Sequence, residues 1–383
     1  MLARMKIAYY TPLKEPRHPT PSGDRLMARQ LMELLGGLCQ EVRLVSTLRT
    51  YVRAPDAIRL AELRHASALE AERILGQVAS GAFRPDLWFT YHPYHKSPDW
   101  LGPAVAARLG VPYVAAEASY AAARGQDDWA DWLEASMAAL RQAATIFCFS
   151  DRDRTGLEAA PGVQAKLYGL KPFLVAPVQH AANPVRLHGQ GPVKLLAAAM
   201  MRPDNKRQSY LLLADALHHL GDLDWTLTIT GDGPARGDIE AAFAAMPSGR
   251  VRFAGLADRG GIEKLMRDAD ILAWPGCREA YGMVFLEAAA QGLPAVAIDN
   301  AGVPEVVCDG VTGLLAVPAA TDAEAAKSYA AALRRLILEP ATRLRLGAAA
   351  ACFVKGERTR EHAEAILAAG LAHALAAQQE KPA

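Results

Sequence analysis

Short apolar runs of strand length alternate along the whole chain with longer stretches whose apolar residues recur every three or four positions. In the first half the strand candidates are Lys6–Tyr10, Glu41–Ser46, Asp86–Tyr91, Pro112–Glu117 and Thr145–Ser150. Helical patterns separate them, notably Ala54–Ser80 and Asp127–Ala143. In the second half the strand candidates are Val193–Met200, Trp225–Thr230, Arg250–Ala254, Ile271–Trp274, Ala295–Ile298 and Leu314–Val317. Such alternation predicts an α/β protein with parallel sheets covered by helices on both faces. Two doubly wound, Rossmann-like domains are expected, at residues 1–180 and 190–357, facing each other across a cleft. The segment Gly169–Val193 has prolines at intervals and no clean period, which marks the connection between them.

Composition sharpens this outline. A chain of 383 residues exceeds what one core usually spans, and 51% apolar residues suffice for two buried sheets. Lys and Arg number 42 against 41 Asp and Glu, so no global field favours nucleic acid as a partner. Five scattered cysteines lack C-x-x-C spacing, and Cys148 lies inside an apolar run, as expected of reduced thiols in a cytoplasmic protein. The opening MLARMKIAYYTP runs straight into a strand without a signal-peptide core, and no later run of 18 apolar residues follows. A soluble, intracellular protein is expected, with peripheral contact at a membrane surface left open.

The densest candidate chemistry lies in Arg278–Val306, REAYGMVFLEAAAQGLPAVAIDNAGVPEV. DADILAWPG upstream holds a short strand-like run ending at Pro-Gly, and Gly282–Gln291 downstream is rich in helix formers before Gly292-Leu293-Pro294. Glu279 is thus expected in the loop past a strand, and Glu287 one to two turns into the next helix. The helix start between them presents unpaired N–H groups and a positive dipole end, where a phosphate anion fits. Carboxylates on either side can accept from hydroxyls flanking a diphosphate, Glu287 from a ribose and Glu279 from a sugar.

This stretch resembles a known family. The Glu-x7-Glu spacing within P-x-x-x-E-x-Y-G-x-x-x-x-E-A-x-A-x-G-x-P, followed by AGVPEVVCDGVTGLLA (Ala301–Ala316), is similar to the donor-binding domain of retaining glycosyltransferases of the GT-B fold, in the large family 4. The resemblance implies a nucleoside-diphosphate sugar as donor, held at Tyr281, Gly282, Met283, Val284 and Glu287. It implies catalytic roles for Glu279 and for two cations after the first strand of the second domain. Here the loop reads Met200-Met201-Arg202-Pro203-Asp204-Asn205-Lys206-Arg207, so Arg202 and either Lys206 or Arg207 face the diphosphate; Lys206 is the expected one. Thr230-Gly231-Asp232-Gly233-Pro234 resembles a nucleotide-side turn of the family, with Gly231 and Gly233 as its flexible points, and is also a common turn. Gly255-Leu256 is expected near the base.

In the first domain the resemblance is looser. Pro21-Ser22-Gly23-Asp24 ends a loop and opens a helix, an ordinary cap in itself, and the resemblance places a phosphate-approaching glycine at Gly23. Thr90-Tyr91-His92-Pro93-Tyr94-His95-Lys96 follows a strand and is dense in polar groups. The resemblance assigns His92, and less firmly His95, to contacting the donor sugar or orienting the acceptor. After the fourth strand, where the family often shows a histidine, this chain has Glu117, which serves either as an acceptor-binding carboxylate or as a loop end. The amphipathic segment 358–383 is expected to cross back to the first domain. Two D-x-D strings, Asp151-Arg152-Asp153 and Asp268-Ala269-Asp270, read as helix ends, and no metal ligand set and no cofactor beyond the donor are expected.

The reading is a hexosyl- or glycosyltransferase acting with retention. It moves a sugar from a nucleotide sugar to a hydroxyl of a saccharide or lipid-linked acceptor, in polysaccharide, lipopolysaccharide or glycolipid synthesis. A 2-epimerase-like sugar-nucleotide isomerase of the same fold is the alternative.

Overall fold

Six parallel strands form each of two sheets in the computed structural model, which describes residues 2–19, 22–175 and 191–380. The chain divides into two compact units, Met1–Lys171 with Arg360–Ala383, and Pro172–Thr359.

In the first unit the strands are β1 (Lys6–Tyr10), β2 (Glu41–Leu44), β3 (Leu87–Tyr91), β4 (Tyr113–Ala116), β5 (Ala143–Cys148) and β6 (Lys166–Gly169), in the order β2-β1-β3-β4-β5-β6. Every residue of β3 and β4 is buried, as a parallel strand covered on both faces requires. The covering helices are α1 (Gly23–Leu38), α2 (Ala57–Ala79), α3 (Leu101–Leu109), α4 (Ala130–Leu140), α5 (Asp151–Glu158) and, from the end of the chain, α12 (Arg360–Gln379). Side-chain caps start several of them: Ser22 accepts from Arg25 N, Asp56 from Arg59 N and Ser150 from Asp153 N. The last helix lies on this sheet. Thr145 Oγ1 donates to Gly370 O at 3.1 Å, and a Cβ on Gly370 would come within 2.4 Å of the Phe147 ring.

The second unit contains β7 (Val193–Ala198), β8 (Trp225–Thr230), β9 (Val251–Gly255), β10 (Ile271–Ala273), β11 (Ala295–Ile298) and β12 (Gly313–Ala316), in the order β12-β11-β10-β7-β8-β9. Its helices are α6 (Asn205–His218), α7 (Arg236–Phe243), α8 (Arg259–Asp268), α9 (Met283–Ala290), α10 (Asp322–Leu338) and α11 (Pro340–Glu357). Trp225, Trp274, Tyr210 and Tyr329 are its largest fully buried side chains.

Three details depart from the sequence expectations. The fifth strand runs Ala143–Cys148 rather than Thr145–Ser150, because Ser150 is already the extended N-cap of α5. Strand β6 was not anticipated. It is a four-residue edge strand, KLYG, whose first residue is exposed and whose other three are half-buried, so it holds no apolar run. It also takes Gly169 out of the expected connection, of which 176–190 lies outside the described residues.

Candidate active site

Strand order reverses in the second unit between β7 and β10, and the carboxyl ends of two such strands are where open parallel sheets take ligands. The loop after β7 carries Arg202 and leads to Lys206, the second residue of α6, while the loop after β10 carries Glu279. The Lys206 ammonium and the Glu279 carboxylate form an ion pair. Trp274 Nε1 donates to the same oxygen, Glu279 Oε1, at 3.2 Å, and Lys206 Nζ stands 5.5 Å from the Trp274 ring centroid. Arg207, the other candidate for the second cation, instead pairs with Asp238 on α7 at 2.8 Å. The structure therefore brings Lys206 and Glu279 together across 73 positions of sequence.

The Glu279 loop is held by its backbone. Ser209 Oγ accepts from Cys277 N at 2.9 Å, Asn300 Oδ1 accepts from Arg278 N at 2.8 Å, and Glu279 O accepts from Gly302 N at 3.2 Å. A Cβ on Gly302 would lie 1.5 Å from Ala280 O, so only glycine lets the two loops meet. Ser209, Trp274, Asn300 and Gly302 were not assigned from sequence. Gly302 lies inside the quoted AGVPEV motif, which was the available signal.

Helix α9 begins at Met283 after Gly282, whose φ is 77° and whose place no side chain can take without meeting the Phe285 ring at 2.8 Å. Among the described residues no side chain caps this helix start, so the Met283 and Val284 end of α9 suits an anion. Tyr281 is buried beneath the turn. Glu287, five residues into α9, has its carboxyl pushed up to about 7 by burial; Arg259 pulls it down and Glu263 pushes it up, both from α8.

Gly231 and Gly233 have a reason of their own. With φ of 138° and 153°, they pass so close to the loop after β7 that Cβ atoms would lie 1.9 Å from Ala199 O and 2.4 Å from Met201 O. Met201 N donates to Asp232 O at 2.9 Å across the same approach. These glycines shape the loop that carries Arg202, and packing alone accounts for them.

In the first unit the strand order reverses between β1 and β3. Gly23 opens α1 behind its Ser22 cap, with open space where a side chain would be, so nothing in the geometry demands glycine there. His92, just past β3, has its Nδ1 3.7 Å from Asp24 Oδ1 and 3.8 Å from Glu117 Oε1. Glu117 is 6% exposed, and burial pushes its carboxyl up to about 7; His92 and a hydrogen bond from Tyr91 pull it down, Asp24 and Asp153 push it up. His95 and His92 share the Tyr94 ring, whose centroid is 5.0 Å from that of His92 and 5.2 Å from that of His95. The His95 ring meets Trp129 edge-on at 5.1 Å, and burial, with Arg124 and Lys96, lowers it to about 4, so it is neutral at pH 7. The loop carrying both histidines is anchored by buried Asp99, which accepts from Thr90 Oγ1 at 2.6 Å and Gly102 N at 2.7 Å.

The D-x-D strings are structural. Asp153 completes the α5 cap with Ser150, and Asp270 accepts from Lys194 N at 2.9 Å. Among the described residues no group of three or more His, Cys, Asp or Glu is placed to hold a metal ion, and no helix is long and apolar enough to cross a membrane.

Residues 192–339 match the family model described as glycosyl transferases group 1. Among curated proteins, the 2-deoxystreptamine glucosyltransferase of Streptomyces kanamyceticus is 29% identical over 261 residues, a match covering 63% of this chain and 65% of that protein. The chain thus spans just under two thirds of the length of that relative. Among solved structures, the sucrose-phosphate synthase of Thermosynechococcus elongatus aligns over 98% of this chain and 100% of that one, with a TM-score of 0.72 and 18% identity. Anabaena HepE in complex with UDP-glucose aligns over 96% of this chain and 100% of that one, with a TM-score of 0.63 and 18% identity. At such identities the likeness is one of fold, the GT-B fold.

Proposed function

We propose that this chain, whose residues 192–339 match the family model described as glycosyl transferases group 1, moves a sugar from a nucleoside-diphosphate sugar to an acceptor hydroxyl with retention of configuration. The observation that carries this reading is the Lys206–Glu279 ion pair at the β7/β10 switch point, with Glu279 four residues before the start of α9. The cation and the helix N-terminus suit a diphosphate, and the carboxylate beside them suits sugar hydroxyls.

In this mechanism Arg202, Lys206 and the first amides of α9 take the departing diphosphate, whose charge grows as the glycosidic bond breaks. Lys206 has three N–H donors, so it can keep Glu279 and still reach a phosphate oxygen. Glu279 accepts from sugar hydroxyls and Glu287 from the ribose. The leaving phosphate accepts the acceptor's proton on the same face, so no protein nucleophile is used. His92, between Asp24 and Glu117, orients the acceptor. The cations and helix dipole do the work that a divalent ion does elsewhere, and transfer proceeds without one.

Uridine diphosphate sugars are the first donors to examine, since HepE is described with UDP-glucose and the curated relative is a glucosyltransferase. The acceptor is a hydroxyl of a saccharide, a polyol or a lipid-linked sugar, reached in the cytoplasm or at the membrane surface. A panel of nucleotide sugars scored for binding and slow hydrolysis tests the reading. One donor class should bind and be hydrolysed with the anomer first released matching the donor. Release of the inverted anomer, or conversion to an isomeric sugar without acceptor, overturns it.

A further inference from the structure

Trp274 follows β10 directly, at the switch point, and its side chain is 0% exposed. An apolar residue at this core position could pack but could not donate a hydrogen bond. A buried indole N–H needs an acceptor, and here the acceptor is Glu279 Oε1 at 3.2 Å. The indole is itself fixed. Its ring meets Tyr210 edge-on at 4.8 Å, the Tyr210 hydroxyl donates to Ala199 O at 2.7 Å, and Trp274 N donates to Val296 O at 3.2 Å.

Two donors, the Trp274 N–H and the Lys206 ammonium, converge on one oxygen of Glu279, while among the described residues no hydrogen bond ends on Oε2. A carboxylate gripped at one oxygen from two directions cannot turn about its terminal bond without breaking one of them. We propose that Trp274 is a positioning residue for sugar recognition, holding one oxygen of Glu279 so that the other is a single, fixed acceptor for a hydroxyl of the donor sugar. The proposal rests on the reading of Glu279 as the sugar-binding group. Its consequence is selectivity for the position of one hydroxyl. A sugar that lacks or misplaces that hydroxyl leaves a partly buried carboxylate oxygen without a donor, the kind of mismatch that discriminates strongly.

The test is Trp274→Phe, which removes the N–H and keeps an aromatic plane, compared with Glu279→Gln and wild type. UDP affinity is measured by calorimetry, and slow hydrolysis is measured with UDP-glucose and UDP-galactose, which differ at one hydroxyl. Trp274→Phe should bind UDP within about threefold of wild type, hydrolyse the preferred sugar nucleotide about tenfold more slowly, and narrow the preference between the two, since a hydrogen bond to a charged group is lost. Unchanged rate and preference in Trp274→Phe, with both altered in Glu279→Gln, overturns the proposal and leaves Glu279 in its role. No effect in Glu279→Gln overturns the Glu279 reading itself. Loss of UDP affinity in step with rate in Trp274→Phe makes the indole a packing residue. An independent measurement needs no Trp274 variant. Of the six indole N–H resonances in labelled wild-type protein, the one moved by Glu279→Gln should also move on adding UDP-glucose and stay in place with UDP; a resonance that ignores UDP-glucose refutes the proposal.

Discussion

Nucleotide binding should expel a proton from Glu287. Burial pushes this carboxyl up to about 7, against the pull of Arg259, so near neutrality the free protein holds it partly protonated. A ribose diol donates hydrogen bonds, and the ionised carboxylate accepts them more strongly than the acid. Binding therefore lowers the pKa that burial raised. The sign follows: affinity is complete well above pH 7 and falls toward tenfold for each unit below it. At pH 5.5 roughly one molecule in thirty carries the competent carboxylate, so affinity should be ~30-fold weaker than at high pH, about 2 kcal/mol. The nucleotide's own phosphate protonates near pH 6 and weakens binding too, which is why Glu287→Gln is the reference. Calorimetry with UDP from pH 5.5 to 8.5, in buffers of unequal ionisation enthalpy, reads both the affinity and the protons released. Wild type should show the extra slope and the extra proton, and Glu287→Gln neither. Identical pH profiles for the two proteins would refute the ribose assignment.

Three further outcomes are expected. Glu117 has a folded-state pKa raised above its ordinary value by burial, so its cost to stability grows as pH rises from about 4.5 to about 7 and is constant above; Glu117→Gln should stabilise by about 3 kcal/mol at pH 8 and not at pH 4, and an equal gain at both in urea unfolding would contradict this. Gly302→Ala should destabilise by more than 2 kcal/mol and cut hydrolysis of the donor at least tenfold, because its Cβ displaces the Ala280 carbonyl beside Glu279; a melting temperature and rate equal to wild type would show that the loop yields cheaply. Transfer should survive excess EDTA, and loss of activity restored by Mg²⁺ or Mn²⁺ would overturn the metal-free mechanism.

What could be read from sequence depended on how locally each feature is encoded. Strands β1, β8 and β11 fall on their expected residues because polar or turn residues bound each one: Thr11-Pro12 after β1, Gly231-Asp232-Gly233 after β8, and Gly292-Leu293-Pro294 before β11. Strand β6 escaped because an edge strand with one neighbour needs little apolar pattern. At the candidate site, Lys206 and Glu279 were legible as residue types in the right loops, yet their pairing was not, since it depends on β7 and β10 lying side by side. Trp274 was hidden for another reason. In an apolar run its indole reads as core, and it is core; only its one polar atom, aimed at Glu279, gives it a second use.

Backbone strain was the least legible feature, and it is concentrated at the same strand ends. Among the described residues, the non-glycine residues with φ in the left-handed region are His92 at 62°, Glu117 at 55°, Arg278 at 53° and Ala301 at 49°. They follow β3, β4, β10 and β11, and each costs on the order of 1–2 kcal/mol relative to ordinary backbone. Tertiary hydrogen bonds hold them: His92 N to Ala116 O and Glu117 N to Phe147 O, each at 2.8 Å, and Arg278 N to Asn300 Oδ1 at 2.8 Å. All of these partners come from other strands or their loops, so no local window of sequence could reveal the conformation. The left-handed turn also swings a side chain off the path the strand pleat would give it. In the first unit this brings His92 Nδ1 and Glu117 Oε1, from adjacent strand ends, to 3.8 Å; in the second the left-handed residues Arg278 and Ala301 directly precede Glu279 and Gly302, whose N–H donates to the Glu279 carbonyl. Strain kept at the carboxyl ends of adjacent strands, and held there by neighbouring strand ends, is how a sheet built for burial also presents polar side chains in fixed directions.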